Sequence, residues 1–143
     1  MKIAIAADHG GFKLKEEIKK YYKDIQFTDL GVYCSESVDY PDVAADMVNA
    51  IRTNIADLGI LICGTGIGIS IAANRFKGIR AALIYNKEVA HLAKEHNNAN
   101  ILVFGGRIMK KEDVIEYIKI FLHSSYEGGR HQRRLDKLDN MEA

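Results

Sequence analysis

The sequence of 143 residues has no tryptophan, one proline and two cysteines, and its charges nearly cancel. A formal net charge of +1 argues against a protein that binds nucleic acid by general electrostatic attraction. Cys34 and Cys63 show no metal-ligand spacing and form no disulfide framework, which fits a reducing cytosol. No apolar run approaches the roughly 20 residues of a membrane span. The apolar run after Lys2 is too short for the core of a signal peptide, so we expect a cytoplasmic protein.

Short apolar runs alternate with segments in which apolar residues recur every three or four positions. The runs predict strands at 3–7, 25–28, 58–63, 79–85 and 101–104. The intervening segments predict helices near 12–23, 41–54, 68–75, 87–98 and 110–125. Such alternation forms a parallel sheet with helices on both faces. We therefore predict one domain over 1–143, a three-layer α/β/α Rossmann-like sandwich with a five-stranded parallel sheet and a C-terminal helical tail at about 128–143.

A glycine-rich loop follows the third predicted strand, at the end of a parallel sheet where ligands bind. Glycines alternate with larger residues from Gly64 to Gly68. The backbone N–H groups of such a loop can converge on an anion at the start of the next helix. The spacing matches neither the dinucleotide fingerprint nor the P-loop, because Ile69 and Ser70 stand where those motifs need glycine and lysine.

Cys63 lies at the edge of this loop, and three roles are open to it. It could be a small buried residue at the end of a strand, a redox thiol, or a catalytic base or nucleophile. A thiol beside a helix N-terminus loses its proton more readily, because the helix dipole and N–H groups stabilise the thiolate. Cys34 has no comparable setting.

Three further polar residues lie at predicted element ends. Asp8 and His9 follow the first strand, where they could contact a ligand, or where Asp8 could merely cap the next helix. His96 ends the fourth helix, where the dipole favours a protonated imidazole that can donate a proton. These positions make all three residues candidates for a site.

Two arginines in the C-terminal segment are four residues apart. On a helix, Arg130 and Arg134 project from the same side. They could clamp a phosphate, with Arg107 after the fifth strand as a third member, or they could belong to a solvated basic tail. Both interpretations remain open at this point.

Five motifs, in this order, resemble those of the type B ribose 5-phosphate isomerases, a family that includes galactose 6-phosphate and allose 6-phosphate isomerases. They are AADHGGF, SVDYPD, LICGTGIGISIAANR, KEHNNANIL and EGGRHQRR, and they span nearly the whole chain. The resemblance implies an aldose–ketose isomerase of the pentose phosphate pathway that interconverts D-ribose 5-phosphate and D-ribulose 5-phosphate through a cis-enediolate. The alternatives are an allose 6-phosphate or galactose 6-phosphate isomerase, or a non-catalytic phosphate-binding module on the same fold.

The resemblance also implies a role for each matching residue. Cys63 corresponds to the base that moves a proton between C1 and C2, His96 to the group that opens the furanose ring, and Thr65 to a residue that assists the oxyanion loop. The residues corresponding to substrate contacts are Asp8, His9, Tyr40, Gly64, Gly66, Ile67, Gly68 and Asn97. Those corresponding to phosphate ligands are Arg107, Arg130 and Arg134. The resemblance implies no metal or other cofactor, and a homodimer or dimer of dimers whose sites are shared between subunits.

Overall fold

The computed structural model describes residues 1–34 and 36–141. Its strands are β1 (Ile3–Ala7), β2 (Thr28–Asp29), β3 (Leu58–Cys63), β4 (Ala81–Leu83) and β5 (Ile101–Gly105). Its helices are α1 (Phe12–Tyr21), α2 (Tyr40–Arg52), α3 (Ile67–Asn74), α4 (Lys87–Glu95), α5 (Lys111–Leu122) and α6 (Arg130–Asp139). Within these described ranges, no helix has the length and apolar character needed to cross a membrane.

All strand pairs in the sheet are parallel, and the strand order is β2-β1-β3-β5-β4. The prediction of a five-stranded parallel sheet is confirmed. The chain adds β2 on one side of β1 and β3 on the other, so the strand order reverses between β1 and β3. In open parallel sheets, such a reversal creates the crevice in which ligands bind.

Helices cover both faces of the sheet, which confirms the three-layer sandwich. Helices α2 and α3 pack on one face, and α1, α4 and α5 pack on the other. Successive side chains of a strand point to opposite faces. In β3, Ile60 and Ile62 therefore join the core under α1, α4 and α5, while Leu61 and Cys63 join the core under α2 and α3.

Two predicted strands have different bounds in the structure. The second was predicted at 25–28, but β2 pairs with β1 only through Thr28 and Asp29. The fourth was predicted at 79–85, but β4 is confined to Ala81–Leu83. The prediction was wrong because flanking residues such as the buried Ile79 are apolar through packing rather than through strand pairing. An apolar run in the sequence does not by itself show which of its residues form the hydrogen bonds of a strand.

The predicted C-terminal tail forms α6. Its inward side carries His131 and Leu135, the only residues of the helix that are buried in the described structure. The predicted tail extends to 143, and residues 142 and 143 lie outside the described residues. Helix α6 thus presents a mainly polar surface and docks through a narrow inward stripe.

Candidate active site

The predicted site residues form two clusters. The first, the strand-end cluster, lies where β1, β3 and β5 end and α2 begins. It consists of Asp8, His9, Tyr40, residues 63–68 and Arg107. The second, the helix-end cluster, lies where α4 ends and α6 begins. It contains the predicted residues His96, Asn97, Arg130 and Arg134, together with Glu127 and His131, which the sequence analysis did not single out.

The loops after β1 and β3 touch each other at the crevice between these strands. The N–H of Asp8 donates to the carbonyl of Ile62 at 3.1 Å. A Cβ at Gly10 would lie 2.9 Å from the backbone nitrogen of Gly64, closer than side-chain carbons are found. Glycine at position 10 therefore allows the two loops to approach, and it places Asp8 next to Cys63.

Asp8 and His9 are both held by backbone groups. The Asp8 carboxylate accepts the N–H of Gly10 at 2.8 Å, whereas α1 has Gly11 as its N-cap and no side-chain cap. Asp8 thus shapes the strand-end loop rather than capping the helix. Nδ1 of His9 accepts the N–H of Val38 at 3.3 Å. This bond puts the ring proton on Nε2, which can donate to a ligand.

Cys63 ends β3 with its side chain buried and its sulfur hydrogen-bonded. The Gly66 N–H lies 3.2 Å from Sγ and donates to it. This contact requires the loop to fold back, which it does through the left-handed backbone of Gly66 at φ 85°. A backbone donor aimed at the sulfur stabilises a thiolate relative to a thiol. Cys63 thus lies at the edge of the crevice with the backbone donor that a thiolate base requires.

The remaining loop residues bring donors and a cation to the same place. Gly68 lies at the start of α3, where the first N–H groups have no helical carbonyl partner and can bind an oxyanion. Thr65 uses its hydroxyl to accept the N–H of Ile67 at 3.2 Å, so it caps this turn. A Cβ at Gly64 would lie 3.3 Å from Nη1 of Arg107. The guanidinium therefore flanks the glycine loop.

Tyr40 approaches the loop from the start of α2. A Cβ at Gly68 would lie 2.7 Å from the Tyr40 ring, so glycine makes room for the tyrosine. The Tyr40 side chain is also exposed to solvent. It therefore lies against the glycine loop at the start of α3.

The helix-end cluster is organised by two histidines. The rings of His96 and His131 stack with centroids 4.3 Å apart and planes 19° apart. Oε1 of Glu127 lies 3.0 Å from Nη1 of Arg130 and 3.7 Å from Nε2 of His131. The Glu127 N–H donates to the carbonyl of Glu95 at 2.9 Å, which ties the segment before α6 to the end of α4.

His131 is a buried residue whose Nε2 has no hydrogen-bond partner among the described residues. Burial, Arg130, His96 and Arg134 lower the pKa of His131, and Glu127 opposes them. The ring is therefore neutral at pH 7. Its spacing of four from Leu135 is typical of an inward-facing helix side and was the signal that could have identified it.

A metal ion does not match this cluster well. His96, Glu127 and His131 place ligand atoms within 4.8 Å of one another. However, Glu127 is already paired with Arg130, and rings stacked nearly parallel do not direct their in-plane lone pairs at a common point. With the arginines of α6 nearby, the cluster is better suited to an anion.

The two clusters lie at opposite ends of the sheet within one chain. Cys63 is paired with Gly105 at the carboxyl end, whereas His96 precedes β5, which begins at Ile101 opposite Gly59. The four residue steps from Gly59 to Cys63 correspond to about 13 Å of strand. His96 and Cys63 of the same chain are therefore separated by about the length of these strands.

Comparison with known proteins places this architecture among sugar phosphate isomerases. A family model described as Ribose/Galactose Isomerase matches residues 3–138. Ribose-5-phosphate isomerase B of Escherichia coli is 43% identical, over 99% of this chain and 96% of its own length. A ribose 5-phosphate isomerase structure from Thermotoga maritima is 53% identical with a TM-score of 0.95, and covers 98% of both chains. The Mycoplasma genitalium enzyme, solved with bound ribulose-5-phosphate, is 43% identical with a TM-score of 0.90, over 96% of this chain and 93% of its own.

Proposed function

This chain belongs to the ribose/galactose isomerase family, and we propose that it interconverts D-ribose 5-phosphate and D-ribulose 5-phosphate with Cys63 as the base. The observation that supports this assignment most directly is the Gly66 N–H bonded to the Cys63 sulfur at the edge of the glycine-rich loop. The relative from Mycoplasma genitalium carries ribulose-5-phosphate in its structure. Family membership and local geometry thus point to the same reaction.

The reaction moves one hydrogen from C2 of the open-chain aldose to C1. Cys63 as thiolate removes the proton from C2, and the electron pair forms the C1–C2 double bond while negative charge collects on O1. O1 then gains a proton, O2 loses one, and Cys63 returns its proton to C1 to give the ketose. A positioned base contributes about 10²- to 10⁴-fold to such a step.

The glycine loop stabilises the charge that develops on the sugar oxygens. N–H groups at the start of α3, aligned by the Thr65 cap, are fixed before the reaction begins. Fixed donors aimed at a developing oxyanion contribute a further 10²-fold or more, because they need no reorganisation. Asp8, His9 and Asn97 then orient the hydroxyl groups of the sugar chain.

Ribose 5-phosphate is mostly a closed furanose, so the ring must open before the isomerisation. His96 gives a proton to the ring oxygen as its bond to C1 breaks, and the C1 hydroxyl releases a proton to form the aldehyde. The ring nitrogens of His96 can donate or accept a proton. The carbon chain is then free to reach Cys63.

The phosphate on C5 acts as a handle for the reacting carbons. We assign it to Arg107, Arg130 and Arg134, whose guanidinium groups match phosphate geometry. The binding energy of this remote group holds C1 and C2 at Cys63.

A complete site requires two copies of the chain, because His96 and Cys63 lie at opposite ends of the sheet. We propose a homodimer, alone or paired further, in which the helix-end cluster of one copy faces the strand-end cluster of the other. Ile67 and Ile71 on α3 are each 54% exposed, and a groove of about 830 Å³ runs beside the edge strand β4. These apolar surfaces next to the site suit a second copy.

We also propose that the protein works in the cytoplasm. Cys63 serves as a base only while its thiol is reduced, and the cytosol maintains that state. The substrate and product are phosphorylated sugars, which are charged metabolites.

Turnover of three sugars by matched cysteine variants tests the assignment. We expect the wild type to isomerise ribose 5-phosphate faster than allose 6-phosphate or galactose 6-phosphate, with and without EDTA. Cys63→Ala should lose about 10²-fold or more in kcat, whereas Cys34→Ala, at an exposed site, should retain wild-type activity. Unchanged turnover in Cys63→Ala would refute the base. Phosphosugar binding without any turnover by the wild type would indicate a binding module instead.

A further inference from the structure

Arg80 lies beside the helix-end cluster and does not belong to the predicted site. It immediately precedes β4, and its backbone N–H donates to Oδ1 of Asn100 at 2.8 Å. Its carbonyl in turn accepts the N–H of Asn100 at 3.0 Å. The backbone is thus fixed at the edge of the sheet, and the side chain, 19% exposed, extends from a rigid base.

One part of the Arg80 guanidinium holds the turn that follows α4. Nε donates to the carbonyl of Asn97 at 3.1 Å, and Nη2 donates to the carbonyl of Asn98 at 3.2 Å. Asn98 has a left-handed backbone with φ 43°, which costs energy in a residue other than glycine unless its surroundings enforce it. Both carbonyls lie just beyond the end of α4, where the helix dipole concentrates partial negative charge. The guanidinium supplies both donors and the compensating charge.

The other part of the guanidinium holds the end of α6. Nη1 lies 3.2 Å from Oδ1 and 3.4 Å from Oδ2 of Asp139, the last residue of that helix. The first turn of α6 meets α4 through the stack of His131 on His96. Helix α6 is therefore fixed at both ends to the His96 turn, with Arg134 between the two attachments.

We propose that Arg80 is a positioning residue that sets the placement of His96 and Asn97 relative to the phosphate-binding arginines of α6, and this rests on the proposed function. Arg80 contacts no reacting atom in this role. Its planar guanidinium joins two segments whose side chains must meet one substrate at its two ends. The length of an open-chain pentose phosphate fixes the distance that must separate these two segments. A shift of about 1 Å in a reacting group can cost 10²-fold in rate.

Two variants distinguish the attachment of Arg80 to Asp139 from its attachment to the turn after α4. Asp139→Asn loosens only α6, so we expect KM for ribose 5-phosphate to rise roughly threefold to tenfold, with kcat within about twofold of the wild type. Arg80→Gln also frees the His96 turn, so kcat should fall about tenfold or more in addition to the rise in KM. Lys20→Gln removes one positive charge from an exposed position on α1, outside the groove beside β4, and should leave both constants unchanged.

Chemical rescue distinguishes positioning from a merely structural role. Arg80→Ala assayed with low, non-denaturing guanidinium should regain part of its kcat, whereas Cys63→Ala should gain nothing. Arg80→Lys, which lacks the planar fork, should remain impaired. Thermal unfolding in parallel identifies any variant that fails to fold, and the partly exposed Asp139 then still provides the KM test.

The outcomes separate this inference from the proposed function. A wild type that does not isomerise ribose 5-phosphate would overturn the proposed function. An active wild type together with folded Arg80→Gln and Asp139→Asn proteins whose constants stay within twofold would overturn only the role of Arg80. A fall in activity that guanidinium does not restore, matched by a fall in melting temperature, would also overturn it.

Discussion

The imidazole of His131 lies flat against that of His96, with ring centroids 4.3 Å apart. One ring belongs to α6, and the other ends α4. The stack therefore joins the proposed ring-opening group to the helix that carries two of the proposed phosphate ligands. It also excludes water from one face of His96.

The stack predicts a pH dependence of stability. The pKa of His131 is lowered by burial and by Arg130, His96 and Arg134, against the effect of Glu127. The unfolded chain, in which the pKa of histidine is about 6.5, therefore binds this proton more strongly than the folded protein. The stability that the neutral His131 ring contributes is present above about pH 6.5 and is lost as pH falls through the pKa of the folded protein.

His131→Phe keeps an aromatic ring on His96 but removes the titrating group. From pH 7 to pH 5, the melting temperature of the wild type should fall more steeply than that of His131→Phe. His123→Gln, at an exposed position, should follow the wild type. Parallel curves for the wild type and His131→Phe would rule out a neutral His131.

The arginines of α6 predict a specific kinetic signature. Arg130→Gln and Arg134→Gln should each raise KM for ribose 5-phosphate roughly tenfold or more, because a hydrogen bond to a charged group contributes about 1.5–3 kcal/mol. The kcat should change little, since the phosphate is bound equally in the ground and transition states. Arg133→Gln removes the same charge from the next position and should have a smaller effect. A fall in kcat at constant KM would contradict the phosphate role.

A buried ion pair beside the end of β1 predicts a large loss of stability. Nζ of Lys15 is fully buried and lies 2.8 Å from Oδ1 of Asp29, and Nζ of Lys19 lies 2.6 Å from Oδ2. Asp29→Asn removes the hydrogen-bonded counterion of the buried ammonium and leaves it with Glu16 at 3.8 Å, which should cost about 3 kcal/mol in the free energy of unfolding at pH 7. Urea unfolding measures this difference, and equal midpoints would contradict it. Glu17→Gln, on the surface of α1, provides the charge-matched control.

The same pair gives a pH prediction. Although burial alone would raise it, hydrogen bonds from Lys15 and Lys19 hold the pKa of Asp29 below its usual value. The folded protein therefore binds this proton less readily than the unfolded chain, whose aspartate has a pKa near 3.9. The stabilisation is present above about pH 4 and is lost as pH falls through the folded pKa. The unfolding free energies of wild type and Asp29→Asn should converge under these acidic conditions.

The fold and the strand-end cluster follow from local patterns in the sequence. Apolar periods identify strands and helices, and the carboxyl ends of parallel strands share one edge, so Asp8, Cys63 and Arg107 were expected together. The bounds of β2 and β4 were not predictable in this way, because buried residues beside a short edge strand are apolar for reasons of packing. Hydrogen-bond registers are set by long-range contacts.

The rest of the site depends on three-dimensional relationships that no motif encodes. The sequence places Cys63 and His96 in neighbouring motifs, yet the direction of α4 puts them at opposite ends of the sheet. His131 and Arg80 act through residues distant in sequence, and the link from Arg80 to Asp139 spans 59 positions. Only the folded chain shows that His131 is buried against His96 and that Arg80 is hydrogen-bonded to Asp139.

The central claim is that each active site combines the Cys63 loop of one copy with the His96 turn of another. Subunit complementation tests it directly: Cys63→Ala and His96→Ala proteins, each nearly inactive alone, are mixed under conditions that exchange subunits. Half of random dimers are then hybrids with one intact site in two, so the mixture should recover about a quarter of wild-type activity. Hybrids that are confirmed by mass spectrometry but show no recovered activity would contradict a shared site.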